Sequence, residues 1–487
     1  MNVLDKKSAT HLLPRDLLWC ATLLAIALCG WHKPASAGVE NPDLTFNLNN
    51  PDGQSGWRAD YLSNYTVNEE TVAVTQTSDG AYLMAGRYQD PNGVAGANSW
   101  DIALMKYQTD GTPAAGFGSN QALGSMSRAW MTHDAGLTDL TDMTLDAQGR
   151  IVVVGSTPFG GVGSNFGIAR FLADGSGPDL SFNGQGGTSI AFDYGGNSTD
   201  TPVAVLTDSL GGIVVLGSVS GATNFSHPFS HREVALTRVL GTNGSLDFGF
   251  GNDSGRSHYF LDPDQDAVPV GFVHAAGGYV VAATANISFS QTAMVAMYFD
   301  ASGILRHHLV IALAGVSNNM QAAAIAVVPE SDSLIIAGNI QQSPAQSAVA
   351  CRISIDVNGV LAQDYSFGPT LSSCYVSTDV DVVQSVAVHS DRSVVLVGEK
   401  KYPNGITDGT ITRLFPNGTL DNFFANARSA THLKSLSWNT HFSRVMLDHD
   451  RPVVIGYRAD SDTQDSDHDF SVVRLQSDLI FASTFGK

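Results

Sequence analysis

One basic residue recurs at equivalent places along the chain: Lys106, Arg170, Arg238, Arg352, Arg413 and Arg474, each inside a short apolar run that leads into a turn. Two chemistries suit such a series. A guanidinium can brace the aspartate of the following turn element, as Arg170 with Asp179 or Arg238 with Asp247, because the planar fork matches a carboxylate bidentately and locks a hairpin in register. Alternatively, a ring of arginines lining a channel would grip an anionic ligand. Recurrence inside equivalent strands favours bracing.

Aspartate is the other abundant chemical group. Asp460, Asp462, Asp465, Asp467 and Asp469 crowd one loop, and Asp262, Asp264 and Asp266 alternate in another. Alternating carboxylates suit calcium, but a helix-loop-helix calcium site needs glycine sixth and glutamate twelfth, where Ala267 and Val273 stand here. Solvated loops are the plainer reading, so no metal and no cofactor are assigned. No Gly-x-Ser-x-Gly elbow, His-Glu-x-x-His pair, phosphate-binding Gly-Lys-Ser/Thr loop or Cys-x-x-Cys occurs. His389, His449 and His468 fall in or near turns, where an exposed imidazole is ordinary. The rings of His307 and His308 would point to opposite faces of a strand, which disfavours joint ligation. No catalytic residue is assigned. A hydrolase using two aspartates at a central channel stays open as the alternative, since carboxylate separation is read only in three dimensions.

The elements that would position these groups are repeated. An apolar run ending in a small residue occurs seven times: Tyr82 to Gly86, Ile151 to Gly155, Ile213 to Gly217, Tyr279 to Ala283, Leu334 to Gly338, Val394 to Gly398 and Val453 to Gly456. Each follows another apolar segment and a tight turn, which together read as a β-hairpin. Each precedes a third run carrying the basic position, then a turn such as Asp174-Gly175 or Asn243-Gly244. An Asp-x-Ser-Phe-like element follows as Asp179-Leu180-Ser181-Phe182, Asp247 to Gly251, Asp364 to Gly368 and Asp421 to Phe424, and then a short fourth strand. Isolated hairpins are marginal in water, so these units need neighbours. Seven copies of four strands predict an all-β, seven-bladed β-propeller of four-stranded antiparallel blades, an arrangement that protects the strand edges. Asp43-Leu44-Thr45-Phe46 resembles Asp179-Leu180-Ser181-Phe182 yet precedes any complete copy. Residues 38–65 are therefore expected to complete the last blade and close the ring, making residues 38–487 one domain.

The Gly-closed strand, Ala-Arg-Phe, Asp-Gly and Asp-Leu-Ser-Phe at a spacing near sixty residues resemble the delta-60 repeat family of secreted or surface bacterial proteins. The resemblance spans nearly all of the chain after residue 37. It weakens in the fourth copy, where Ala283 replaces glycine and Met297 replaces arginine, and in the seventh. It implies a propeller fold and lends no catalytic residues.

Lys6, Lys7 and Arg15 precede an apolar run, Leu17 to Leu28, and then Ala35-Ser36-Ala37. This is the pattern of a signal peptide, residues 1–37, and the run is too short for a bilayer, which needs roughly 20 residues. Export to the periplasm or the extracellular space is expected, with no membrane span. Cleavage removes four basic and two acidic residues and takes the formal charge from −20 to −22. Such acidity argues against nucleic acid as a partner. Only Cys351 and Cys374 then remain, on neighbouring strands, and an oxidising compartment would allow a disulfide; two separate thiols are the alternative.

Loops between second and third strands vary in length, and function on repeat scaffolds concentrates where loops vary. Tyr88, Trp100, Phe225, Phe229, Tyr402 and Tyr457 are the candidate aromatic contacts on that face. The expected function is a non-catalytic binding or scaffold propeller, monomeric, that engages a protein or glycan there.

Overall fold

The computed structural model describes residues 43, 45–46, 57–60, 69–90, 99–118, 128–131, 137, 139–159, 163–192, 199–220, 232–259, 261, 266–288, 291–313, 319–342, 345–369, 373–403, 405–422, 424, 431–433, 439–459 and 468–476. They form seven small antiparallel sheets. Their inner strands are Glu69–Gln76, Asp139–Leu145, Thr201–Thr207, Ala267–Ala275, Met320–Val327, Val382–Val388 and Asn439–Asp448. Each inner strand touches that of the next blade, and the seventh touches the first. The molecule is a seven-bladed propeller.

Second strands carry the near-continuous apolar runs because both of their faces are covered by neighbouring blades. Ile151, Val152, Val153 and Val154 are all buried, and alternate residues join different inter-blade clusters. The small residue that ends each run answers to a bulge. All seven inner strands shift register at the same place, for example between Leu140 and Asp142 or between Val383 and Ser385. The bulge pushes a carbonyl against the facing strand: a Cβ on Gly155 would lie 2.1 Å from the Asp139 oxygen, and one on Gly398 would lie 1.9 Å from that of Val382. At these two positions only glycine fits so close a backbone approach, whereas blade four bulges opposite Ala283.

The repeated arginine braces its aspartate. Arg170 Nε donates to Asp179 at 2.9 Å, Arg352 to Asp364 at 2.8 Å and Arg413 to Asp421 at 2.7 Å. The brace also crosses the seam between blades. Arg170 donates to the Gly241 carbonyl of blade three, and Arg352 to that of Pro416 in blade six at 2.6 Å. The phenylalanines of four elements, Phe46, Phe182, Phe367 and Phe424, pack beneath their arginines, with Arg170 4.5 Å from the Phe182 ring centroid. Phe182 lies against Gly244 of the next blade, and the following N–H, of Asn183, donates to the Asn243 carbonyl at 2.8 Å. Gly118 to Asp174, Gly251 to Ser302 and Gly368 to Asn417 repeat that bond at three further seams. The fourth blade lacks the element, and Tyr298 of its third strand takes the phenylalanine's place against Gly359.

The last sheet contains the earliest described strand. Trp57–Asp60 pairs antiparallel with His468–Arg474, Trp57 opposite Val473 and Asp60 opposite Phe470. Asp43 accepts from Arg474 Nε at 2.9 Å, and its own N–H donates to the Arg474 carbonyl at 2.7 Å. Residues 1–42, which include the expected signal peptide, lie outside the described residues.

Two particulars differ from expectation. Blade five has five strands, because Leu361–Gln363 and Cys374–Val376 both pair with Ala345–Ile355. The Asp364 element splits its outer edge, where other blades make a single bridge such as Phe171 to Pro178. Cys351 stands opposite Cys374, and the two sulfurs are bonded. His389, expected to be exposed in its turn, is 2% exposed and lies 3.6 Å from Asp450 of the next blade. His449 is exposed as expected.

Candidate binding cleft

The six aromatic candidates do not assemble into one described surface. Phe225 and Phe229 lie outside the described residues. Tyr88 and Trp100 are described as backbone in Tyr82–Asp90 and Ser99–Tyr107, one register step apart. Tyr402 is half-buried, and its hydroxyl pKa is raised by burial and by the nearby Asp408. Tyr457 stacks on His441, with ring centroids 4.5 Å apart, and His441 Nδ1 lies 3.0 Å from Glu399. The last contact recurs elsewhere in the ring. In three blades the residue after the second-strand glycine ties to the next blade's inner strand: Arg87 to Asp139, Asn339 to the Val383 N–H at 2.8 Å, and Glu399 to His441. These polar side chains serve the seams.

The opposite face carries the turns between inner and second strands together with the Asp-x-Ser-Phe elements. There, between blades three and four, opens a cleft of about 690 Å³. Asp208, Leu210, Arg238, Asp247, His274, Tyr279 and Ser302 are among its lining residues. Arg238 donates through Nε to Asp208 at 2.6 Å and through Nη1 to Asp247. Burial pushes the Asp208 carboxyl up, but hydrogen bonds from Arg238 and from the Gly212 and Leu210 N–H groups outweigh it, so its pKa lies below the usual range. Tyr279 is only 3% exposed, and its ring packs against Phe250, Phe272 and His274. Burial and then the Asp208 charge push its hydroxyl up to about 12. Among the described residues that hydroxyl has no hydrogen-bond partner.

The repeat supplies a closed counterpart between blades seven and one. Tyr82, equivalent to Tyr279, donates its hydroxyl to Asp448 at 2.7 Å and accepts from Arg474 at 3.0 Å. Burial raises the Asp448 carboxyl, yet hydrogen bonds from Tyr82, His449 and Gln76 and the charge of Arg451 hold it down at about 2. The folded pKa is thus depressed, so its stabilisation is complete above the ordinary value of 3.8 and is lost as pH falls from there toward 2. Tyr82→Phe is expected to shrink this acid limb of the stability profile, measured by urea unfolding across that window. An unchanged limb would assign the acid sensitivity to other carboxylates.

Among the described residues no group of three or more His, Cys, Asp or Glu side chains is placed to hold a metal ion. Asp262, Asp264, Asp460, Asp462, Asp465 and Asp467 lie outside them. No described helix is long and apolar enough to cross a membrane.

Residues 148–182 and 389–424 match the family model described as "Domain of unknown function (DUF5122) beta-propeller". Both stretches run from the turn before a second strand to the phenylalanine that packs under the arginine. No curated protein sequence matches the chain. Among solved structures it is similar to a protein of unknown function from Dyadobacter fermentans, at 10% identity over 87% of this chain and 100% of that one, TM-score 0.43. It is also similar to extracellular domains 1–2 of Drosophila semaphorin 1b, at 10% identity over 85% and 86%, TM-score 0.44. A polysaccharide lyase of family PL25, an ulvan lyase, is 9% identical over 86% and 96%, TM-score 0.46. Likeness at this level carries no functional inference.

Proposed function

We propose that this chain is a non-catalytic binding propeller of the delta-60 repeat type, exported by residues 1–37 to the periplasm or beyond, that engages a protein or glycan. The observation that carries the reading is the cleft at the seam of blades three and four, where a buried tyrosine hydroxyl meets open space, whereas its counterpart Tyr82 meets an aspartate. A ligand that supplies the missing hydrogen bond gains a desolvated, pre-formed site. Both carboxylates of the cleft bond to one guanidinium, so neither is placed to deliver a proton to a leaving group, as a hydrolase would require. The variable loops of the opposite face form a second surface in this proposal.

Thermal unfolding of residues 38–487 against soluble glycans and peptides tests it, since a ligand of the folded state raises the midpoint. A rise with one class, lost in Asp247→Asn, is expected. Hydrolysis of a glycan or ester by the protein, lost in the same variant, would overturn the non-catalytic reading.

A further inference from the structure

Two sister seams show what belongs in this cleft. Between blades two and three, Asp146 and Asp179 face two guanidinium groups. Arg170 is one; the other is Arg150, 2.6 Å from Asp146 and 3.2 Å from Asp179. Between blades seven and one, Asp448 and Asp43 likewise face Arg474 and Arg451, the latter at 2.6 and 3.4 Å. Each second arginine stands at the start of its second strand, Arg150 directly before Ile151. In blade three Gly212 holds that place, directly before Ile213. Asp208 and Asp247 therefore share Arg238 alone.

Arg238 has settled into the space left by the absent side chain. A Cβ on Gly212 would lie 2.3 Å from its Nε. That nitrogen is turned to the turn aspartate, Asp208, whereas Arg170 and Arg474 present theirs to Asp179 and Asp43. Drawn inward, Arg238 makes no bond across the seam to match those of Arg170 to Gly241 and Arg474 to Thr109. The cleft occupies the place of that bond, with Ala301 and Ser302 on its far wall.

We infer that the cleft takes an arginine side chain from a partner polypeptide, which completes in trans the pair of guanidinium groups that the sister seams hold in cis. This rests on the binding reading above. Two carboxylates against one guanidinium leave the site net negative, and a planar fork bridges two carboxylates as Arg150 and Arg451 do. The unpartnered Tyr279 hydroxyl accepts from the same group. Leu210, 86% exposed, and Phe248, 75% exposed, offer apolar contact to flanking residues of the segment. The acidic chain steers a basic partner toward it.

The test uses residues 38–487 and the probe acetyl-Gly-Arg-Gly-amide, with its citrulline counterpart as the neutral isostere. Calorimetric titration and the unfolding midpoint are the readouts. The arginine probe is expected to bind and raise the midpoint, and the citrulline probe to do neither. Binding falls at least about tenfold in Asp247→Asn and in Gly212→Arg, the loss expected for a desolvated charge partner. Gly212→Arg also unfolds later than the parent without any probe, because the second arginine is now supplied in cis. Should that variant fail to fold, Asp247→Asn and Tyr279→Phe carry the test. Equal responses to arginine and citrulline, or no response to arginine, overturn the inference. An Asp247-dependent rise with maltohexaose alone removes it and leaves the binding reading standing; silence from every probe removes both.

Discussion

Replacing Arg474 by alanine is expected to cost about 3–5 kcal/mol of folding free energy, the range for breaking a buried ion pair from one side. The side chain is 3% exposed. It donates to Asp43, to the Tyr82 hydroxyl, to Thr45 at 3.1 Å and to the Thr109 carbonyl, and it lies 5.1 Å from the Phe46 ring centroid. Its removal takes from the buried Asp43 its nearest guanidinium, leaving it Thr45 and the more distant Arg451, and loosens the first described residues from the last sheet. Arg352→Ala is the control. That pair is 21% and 26% exposed, and about 1 kcal/mol is expected. Urea unfolding with a common m-value measures both. Equal losses would mean that the seam between blades seven and one is no more dependent on its arginine than an ordinary seam.

The second large effect is expected at the disulfide. Cys351→Ala with Cys374→Ala removes a cross-link spanning 23 residues, and the chain-entropy model gives about 3 kcal/mol for a loop of that length. Reductant should destabilise the parent to the same extent and leave the double variant unchanged. Both cysteines are fully buried, so reduction of the native state requires local opening and should be slow. A double variant as stable as the parent would show that the split outer edge of blade five is held by its backbone pairing alone.

Much of the ring was legible because its rules are local. A run such as Ile151 to Gly155 announces a strand covered on both faces, and Asn243-Gly244 announces a turn. Recurrence of Arg170 and Asp179 at fixed spacing announces their pairing within one blade. What escaped is what one blade does to the next. The Phe182 contact with Gly244 and the reach of Arg170 to Gly241 belong to neighbouring copies, and no single copy contains both partners. His389 read as an exposed turn residue because the aspartate beside it, Asp450, lies in the following blade. Tyr457 read as a loop contact, but the inner-strand His441 takes its ring face. The cleft was hardest to see, since its cause is a missing side chain. Gly211-Gly212 looks like any permissive turn until Gly212 is set beside Arg150 and Arg451, and that alignment was the available signal.

The Asp-x-Ser-Phe element belongs to one sheet by connectivity and to the following sheet by contact, so inherited unit and structural wedge are out of phase. Duplication or loss of one whole interior unit that carries the element would leave each junction with a matching donor and acceptor, because such a unit carries half of two like joints. A breakpoint inside a unit would orphan both. Circumference can therefore change in ancestry by integer steps, while Trp57–Asp60 and His468–Arg474, which share the final sheet, must be inherited together.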